Sequence, residues 1–433
     1  MVNAQSEKNA GRTIARVFWQ DDSGATVRYG DLKKSANGWA IDSQDVEGFP
    51  SLNLDEQSLV QMHENAGLII VGVHDTDDGT IGSGWVGIES GVVEEPHGDH
   101  THWRFKQTPR VLHSHVTTDQ GNPAHVYQYG QSFILANDKK NGFTIASAKS
   151  IRDAKTPQAA AKFHDGGNGH ITLAVIESKV AYATWIAPAG DDCGRVDVVG
   201  LGVNEGKRYS IKCPTGMLHG ATTNAGKVFF APADGVCWVN GDTDVNDAPE
   251  SVKVHHLPLG KDDNDKPLRT GAFTNLGSLV LFSAGKGNGS KLCLIDASID
   301  IPALVELPIS VSEGESLSTP VAVKARGGKR LAMICRENKE APEKDALLVV
   351  DLDPNGDGNP EDLLIMKSIA IGRNQIAGHS GHHEIVALPS GRDVIVSNPG
   401  DGTLMVISLS DAFEPVTLPL GGNPTRMVAV GGS

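Results

Sequence analysis

The sequence is poor in positive charge and in long apolar runs. Lysine and arginine number 38 against 53 aspartate and glutamate residues, which gives a formal net charge of −15, and the basic residues do not cluster. A nucleic-acid partner is therefore not expected, because phosphate contacts need concentrated positive charge. No apolar run reaches the length of a membrane span, so we expect none. We also expect the chain to be a monomer. The first residues, MVNAQSEKNAG, lack the apolar core of a signal peptide. We therefore expect a mature periplasmic or secreted chain from which the signal has been removed.

Catalytic motifs are also missing. The chain contains no GxSxG, no GxxxxGK[ST], no HExxH, and no GxGxxG that opens a helix. We therefore do not expect an enzyme. A metal with an open coordination position could still activate water, and this keeps a metal-dependent propeller enzyme as the alternative.

Cysteine is scarce, with five residues at 193, 213, 237, 293 and 335, and no CxxC pair indicates a thiolate zinc site. Cys193 and Cys213 flank a predicted strand–turn–strand segment symmetrically, which favours a disulfide between them. Cys213–Cys237 is the competing pair, and free buried thiols are the third interpretation.

The sequence is rich in glycine, with 50 residues, and in short runs in which apolar and polar residues alternate. Period-two alternation over four to eight residues predicts half-buried strands, and no long stretch has a helical period. Similar strand starts recur near residues 63, 125, 170, 219, 271, 318, 383 and 426. Their spacing fits four-stranded blades. The sequence predicts an all-β, eight-bladed β-propeller spanning residues 1–433, in which the C-terminal strand completes the N-terminal blade. Residues 1–12 are predicted to be disordered, and residues 92–117 and 351–362 to be inserted loops.

Histidines mark several of the predicted blade starts. They stand at positions 63, 125, 170, 219 and 383. The first strand of a blade lines the central channel, so a ring of imidazoles is expected there. Neutral imidazole suits zinc and copper. The alternative is a polar lining for a wet channel. The predicted metal ligands are His125, His170, His219 and His383.

The segment HGDHTH offers His97, Asp99, His100 and His102 within six residues. Imidazole and carboxylate together favour a borderline ion such as zinc. The competing interpretation is an exposed loop without a ligand.

The segment DLDPNGDGNPED has oxygen-bearing residues at calcium-loop spacing. They are Asp351, Asp353, Asn355, Asp357 and Asp362. The sequence allows calcium binding here, with an acidic turn as the alternative.

Four stretches of the chain resemble the AztD family of bacterial periplasmic zinc metallochaperones. They are the segment around HGDHTH, the segments NPAHVYQYGQSFILAND and KCPTGMLHGATTNAGKVFFAPADGVCWV, and the C-terminal NPTRMVAVGG. The resemblance implies an eight-bladed propeller that binds zinc and delivers it to the solute-binding protein of an ABC importer. It also implies zinc-associated roles for His97, Asp99, His100, His125 and His219. Pro232 stands where the family has a cysteine, which argues against the family's disulfide.

The sequence thus predicts a zinc carrier in which the HGDHTH segment captures the ion and the channel histidines retain it. A quinoprotein- or lactonase-like enzyme and a metal-stabilised scaffold are the rival interpretations.

Overall fold

Eight antiparallel sheets surround a central channel as the blades of a propeller in the computed structural model. The structure describes residues 11–77, 79–98, 100–410 and 412–432, without the side chains of His100 and Glu361. The predicted eight-bladed propeller is confirmed. No helix in the described part of the chain has the length and hydropathy needed to cross a membrane.

The first four blades contain these strands, each blade given from the channel outward. Blade 1 has β36 (Pro424–Val430), β1 (Arg12–Asp21), β2 (Thr26–Ser35) and β3 (Gly38–Ala40), with β4 (Gln44–Asp45) also on β2. Blade 2 has β5 (Gln57–Asn65), β6 (Leu68–Asp75), β7 (Ser83–Glu89) and β10 (Arg110–Thr117). Blade 3 has β11 (Pro123–Tyr129), β12 (Ser132–Asn137), β13 (Gly142–Ser147) and β14 (Ala161–Asp165). Blade 4 has β15 (Leu173–Ile176), β16 (Val180–Thr184), β17 (Arg195–Gly200) and β18 (Gly206–Lys212).

The remaining four blades follow the same plan. Blade 5 has β19 (Ala221–Asn224), β20 (Lys227–Phe230), β21 (Gly235–Asn240) and β22 (His255–Pro258). Blade 6 has β23 (Thr274–Leu276), β24 (Leu279–Ala284), β25 (Lys291–Asp296) and β26 (Leu304–Pro308). Blade 7 has β27 (Glu315–Leu317) and β28 (Val321–Lys324), both on β29 (Arg330–Asn338), then β30 (Ala346–Asp351) and β31 (Leu364–Ala370). Blade 8 has β32 (Ile385–Ala387), β33 (Asp393–Asn398), β34 (Thr403–Ser408) and β35 (Pro415–Pro419).

Helical structure is confined to short connections. The α-helices are α1 (Ala148–Asp153) and α2 (Pro157–Ala160), both between β13 and β14. Single 3-10 turns occupy Asp138–Lys140, Gly202–Asn204, Pro249–Ser251, Gly287–Gly289, Pro342–Lys344, Pro360–Asp362 and Pro399–Asp401.

Each blade buries both faces of its middle strands against its two neighbours. In β1, Phe18 packs towards blade 2, whereas Val17 and Trp19 pack towards blade 8. The same division holds around the ring, where an apolar cluster fills every blade–blade interface. A strand buried on both faces needs a nearly continuous apolar sequence, which explains runs such as LIIVGV in β6.

The ring closes through pairing between the two ends of the chain. Strand β36 pairs antiparallel with β1, for example Val17 with Ala429 and Phe18 with Val428. Met427 and Val430 then enter the interfaces with blades 8 and 2, respectively. Closure in this way pairs β1 on both edges and gives blade 1 an innermost strand like those of the other blades.

The strand order assigns each connection to one face of the propeller. The connections between blades and those from the second to the third strand lie on one face, which we call the histidine face. The first-to-second turns and the third-to-fourth connections lie on the opposite face.

The two predicted insertions are shorter than the sequence suggested. Within residues 92–117, the hairpin of β8 (Val93–His97) and β9 (His100–Arg104) is inserted, but Arg110–Thr117 is the outer strand of blade 2. Asp351 ends β30, so the acidic connection begins after it. At the N-terminus, residues 1–10 lie outside the described residues, and Arg12 already belongs to β1.

All five cysteines are free thiols in the structure. Cys213 and Cys237 share the apolar cluster between blades 4 and 5. Contact with the Cys237 thiol, together with burial, raises the pKa of Cys213. Cys193 instead places its Sγ 3.6 Å from the Pro188 carbonyl oxygen. This arrangement favours Cys213–Cys237 over Cys193–Cys213 as the pair able to form a disulfide.

We predict that shortening the closure strand destabilises the whole ring. Met427→Ala should lower the free energy of unfolding by about 2–5 kcal/mol because it empties a buried position between blades. Deletion of residues 424–433 should cost more. Chemical denaturation measures both effects. Ile301→Ala, at a side chain that is 72% exposed, is the control and should change stability by about 0.5 kcal/mol or less. An unchanged transition in the deletion variant would contradict the closure.

Oxidation should link Cys213 to Cys237. We expect incubation with oxidised glutathione to give a disulfide between these two residues, slowly, because both thiols are buried and burial raises the pKa of Cys213. Peptide mapping without reductant identifies the linkage. A Cys193–Cys213 linkage would contradict the packing of Cys213 beside Cys237 between blades 4 and 5.

Candidate metal centre

Three imidazole rings converge at the histidine face of the channel. The Nε2 atoms of His125 and His170 are 2.8 Å apart, and those of His170 and His219 are 3.2 Å apart. The three ligand atoms lie within 4.8 Å of one another, and no other such group of three occurs among the described residues. Successive blades 3, 4 and 5 supply the rings, which we call the three-histidine cluster.

Local backbone features direct these rings into the channel. His125 follows a bulge, since the register of β11 against β12 shifts between Pro123 and His125. Bulges turn a side chain away from the regular alternation of a strand. His219 precedes Gly220, whose φ is +136° and whose missing Cβ would lie 2.7 Å from the Gly271 carbonyl oxygen. Only glycine allows this approach, which explains the LHG motif.

Two rings have an acceptor behind them. Nδ1 of His170 lies 2.9 Å from Oδ2 of Asp138, whose Oδ1 accepts the N–H of Ile171 at 3.0 Å. Nδ1 of His219 lies 3.3 Å from the Gly271 carbonyl oxygen. An acceptor on Nδ1 holds the proton there and leaves Nε2 free to ligate, as in the carboxylate–histidine pairs of zinc sites.

The third ring has a different neighbour. The side-chain oxygen of Gln61 accepts the N–H of Val126 at 2.9 Å, so its amide nitrogen faces Nδ1 of His125 at 3.2 Å. This network assigns the proton of His125 to Nε2, from which it is donated to His170. Ligation through Nε2 of His125 would require this proton to move and the Gln61 amide to adjust.

Burial disfavours the charged form of two rings of the cluster, His125 and His219. Burial, with the neighbouring rings of His170 and His219, lowers the pKa of His125 to about 3. Burial and His170 also lower the pKa of His219. Neutral imidazole is the form that binds a metal ion, so near pH 7 no proton has to be removed from an imidazolium at these two positions.

The geometry fits a tetrahedral divalent ion. Zinc bound by nitrogen at about 2.0–2.1 Å separates two ligand nitrogens by about 3.3 Å. Two of the observed separations, 2.8 and 3.2 Å, are close to this value, and all three nitrogens lie within 4.8 Å of one another. Three nitrogens leave one position open, and the cluster faces a cavity of about 760 Å³.

The cavity wall opposite the cluster carries further charged and polar groups. Arg426, 36% exposed, donates to Glu384 at 2.7 Å. Nδ1 of His382 lies 2.8 Å from Glu337, and Asp22 accepts from the Thr425 hydroxyl at 2.9 Å. Except for Glu384 and Glu337, these residues line the cavity directly.

The HGDHTH segment forms a separate hairpin on the opposite face. Strands β8 and β9 pair with His97 opposite position 100 and Glu95 opposite His102. The His97 and His102 rings are exposed, with centroids 5.5 Å apart. Asp99 lies outside the described residues. Because the hairpin joins the third and fourth strands of blade 2, it cannot cover the three-histidine cluster.

Arg16 fixes the base of this hairpin. Its guanidinium donates to the carbonyl oxygens of Ser90, Phe105 and Gln107 at 2.7–3.0 Å and pairs with Asp31. The hairpin is therefore anchored at its base and exposed at its tip.

Two histidines predicted to line the channel face the protein instead. His383 is fully buried, with Nε2 2.9 Å from Asp345 and Nδ1 2.6 Å from the Ser397 carbonyl oxygen. His63 directs Nε2 to the Val126 carbonyl oxygen at 2.8 Å. The structure does not bring His383 to the three-histidine cluster, because both of its nitrogens already have protein partners.

The acidic segment on the opposite face uses its carboxylates within the protein. Asp351 lies 3.1 Å from Lys329, and Asp353 lies 2.8 Å from Arg330. Asn355 donates to Asp357 at 3.1 Å, and Oδ1 of Asp362 is buried without a partner. These oxygens do not converge, and calcium binding stays a prediction.

Two residues near the cluster were missed from the sequence. Asp138 follows β12 directly, and His379 lies in the segment AGHSGHH between blades 7 and 8. Both segments belong to connections on the histidine face, so strand order combined with residue type could have indicated them.

Comparison with solved structures places this fold beside known ones. Two structures of AztD from Citrobacter koseri, one of them apo, match with a TM-score of 0.62 each. This chain folds like AztD. The identities are 16% and 17%, over 98% of this chain and 99% of the other chains. The resemblance is thereby confirmed at the level of the fold. No family model and no curated protein matches the chain.

Replacing the carboxylate behind His170 should weaken metal binding. Asp138→Asn should raise the Kd for Zn²⁺ about 10–100-fold, because the amide holds the imidazole less firmly and makes it a poorer donor. Competition with a chromophoric chelator measures the Kd. Asp153→Asn, at an exposed site in the same blade, is the matched control. Equal affinities in both variants would remove Asp138 from the site.

Proposed function

We propose that the chain is a carrier that takes up Zn²⁺ in the three-histidine cluster and passes it on by ligand exchange. The observation that carries this proposal is the convergence of three imidazole nitrogens within 4.8 Å of one another, two pairs of them at 2.8 and 3.2 Å. The AztD-like fold supports the choice of zinc.

The cluster suits an ion that has to leave again. A structural zinc site is closed by four fixed ligands, whereas this one leaves a position open towards the cavity. An incoming ligand can occupy that position first and displace the histidines one at a time. Asp138 keeps the His170 ring oriented during the exchange, while His125 has only the amide of Gln61 behind it.

The hairpin supplies a second, weaker site in this proposal. His97, His100 and His102 with Asp99 capture Zn²⁺ at the surface, where the ion exchanges readily with solvent. The ion reaches the three-histidine cluster through solvent or through the channel, because the two elements lie on opposite faces. The hairpin and the three-histidine cluster therefore cannot hold the same Zn²⁺ ion at once or pass it directly from one to the other.

The partner and the compartment are proposed from the resemblance to the AztD family. We propose that the acceptor is the zinc-binding solute-binding protein of an ABC importer and that the chain works as a monomer in the periplasm. The negative net charge of −15 attracts divalent cations.

A metal-dependent enzyme is the second candidate. The specific observation in its favour is an open coordination position facing a cavity of about 760 Å³, a size that admits a small organic substrate. Hydrolytic or redox turnover that is lost on chelation would favour it over the carrier.

Two sets of substitutions separate the contributions of the two faces. Combined replacement of His125 and His219 by Ala should remove one tightly held equivalent of Zn²⁺ per chain, because a single imidazole remains in the cluster. Replacing His97, His100 and His102 together by Ala should leave that equivalent in place and slow its uptake. Elemental analysis of tag-free protein, before and after chelation, gives the stoichiometry.

The matched control is His256→Ala, a half-buried histidine of β22 whose Nε2 lies 3.1 Å from Asp234, away from the cluster. It should bind Zn²⁺ like the parent. Circular dichroism checks that each variant keeps its fold. If the double variant keeps its zinc, the three-histidine cluster is only a polar channel lining and the carrier proposal is wrong.

A further inference from the structure

The open position of the three-histidine cluster lacks a ligand from its own three blades. Behind the rings, both carboxylate oxygens of Asp138 already have partners, Nδ1 of His170 and the N–H of Ile171. Any fourth protein ligand must therefore reach across the cavity from another blade. The side chains lining the opposite wall that can ligate zinc are Asp22, His74, His379 and His382.

Three of these four are tied down or lie on a rigid strand. Asp22 accepts from the Thr425 hydroxyl, and burial raises its pKa. His382 is held through Nδ1 by the buried Glu337. His74 lies within the regular part of β6, paired with Ser58.

His379 is placed differently. It sits with Gly378 at the tip of a tight turn in which Ala377 and Ser380 form an isolated bridge. The tip is exposed, and it lines the same cavity as the cluster. The wall of this cavity contains His379 together with all three rings of the three-histidine cluster.

The turn combines a base held by hydrogen bonds with a tip that is exposed to solvent. At the base, Gln375 N–H donates to the Gly381 carbonyl oxygen at 2.9 Å, and the Asn374 amide donates to Asp345 at 2.6 Å. At Gly378 (φ +64°), an added Cβ would meet nothing within 4 Å. The tip can therefore move towards the cavity without disturbing the packed core below it.

We propose that His379 is the fourth zinc ligand and closes over the metal bound by His125, His170 and His219. This inference rests on the proposed zinc-binding function. The ligand that completes the site comes from the connection between blades 7 and 8. One ligand on a movable turn and three on packed blades make one bond easier to break than the others. Opening of the turn then exposes the ion for transfer.

Zinc affinity tests the contribution of the ring. His379→Ala should raise the Kd for Zn²⁺ about tenfold or more, a loss of about 1.4 kcal/mol or more of binding free energy. His382→Ala is the matched control on the same connection and should bind Zn²⁺ like the parent. Unchanged affinity in His379→Ala, or an equal loss in His382→Ala, would overturn the inference.

A spectroscopic variant tests direct coordination. His379→Cys, loaded with Co²⁺, should show a near-ultraviolet thiolate-to-cobalt charge-transfer band in the difference spectrum against the parent. His382→Cys should not. Co²⁺ binding by His379→Cys without this band would exclude residue 379 from the coordination sphere.

The proposed function has its own readout in the same series. If His125→Ala binds Zn²⁺ as the parent does, the three-histidine cluster is not the zinc site, and the inference falls with the proposed function. If His125→Ala loses Zn²⁺ while His379→Ala does not, only the fourth ligand is wrong.

Discussion

The pairing of Pro424–Val430 with Arg12–Asp21 is the constraint on which the rest of the molecule depends. Each blade has two apolar faces, and neither is covered until both neighbours are present. The two interfaces of blade 1, with blade 8 and with blade 2, contain residues from both ends of the chain. All eight interfaces are therefore complete only when both terminal strands, β1 and β36, are in place.

Ring closure also sets the precision of the three-histidine cluster. His125, His170 and His219 come from three blades, and the angle between neighbouring blades is fixed by how many share the circle. Their nitrogens lie within 4.8 Å of one another because the apolar clusters between blades 3, 4 and 5 hold that angle. The core packing thus positions the ligands. Asp138 of blade 3 also helps to position His170 of blade 4, through the contact with its Nδ1.

The fold could be predicted from the sequence because its signals are local and repeated. Alternation, turns and spacing recur eight times, and an unpaired last strand indicated closure. The candidate site was predicted less completely. The spacing located histidines at blade starts, but it does not give the direction of a side chain. His125 is turned into the channel by a bulge, whereas His383, at an equivalent place in the sequence, is turned into a buried pair with Asp345. Residues such as Asp138 and His379 approach the cluster from other blades, and their proximity exists only after folding.

The position of the chain ends has a practical meaning for orientation. Arg16 pairs with Val430, so β1 begins and β36 ends on the face that also carries the hairpin, where Gly431 approaches Trp103 and Phe105. The described ends of the chain, Arg12 in β1 and Val430 in β36, therefore lie across the propeller from the histidine cavity. Immobilisation by either end leaves that cavity turned outward to a protein arriving from solution.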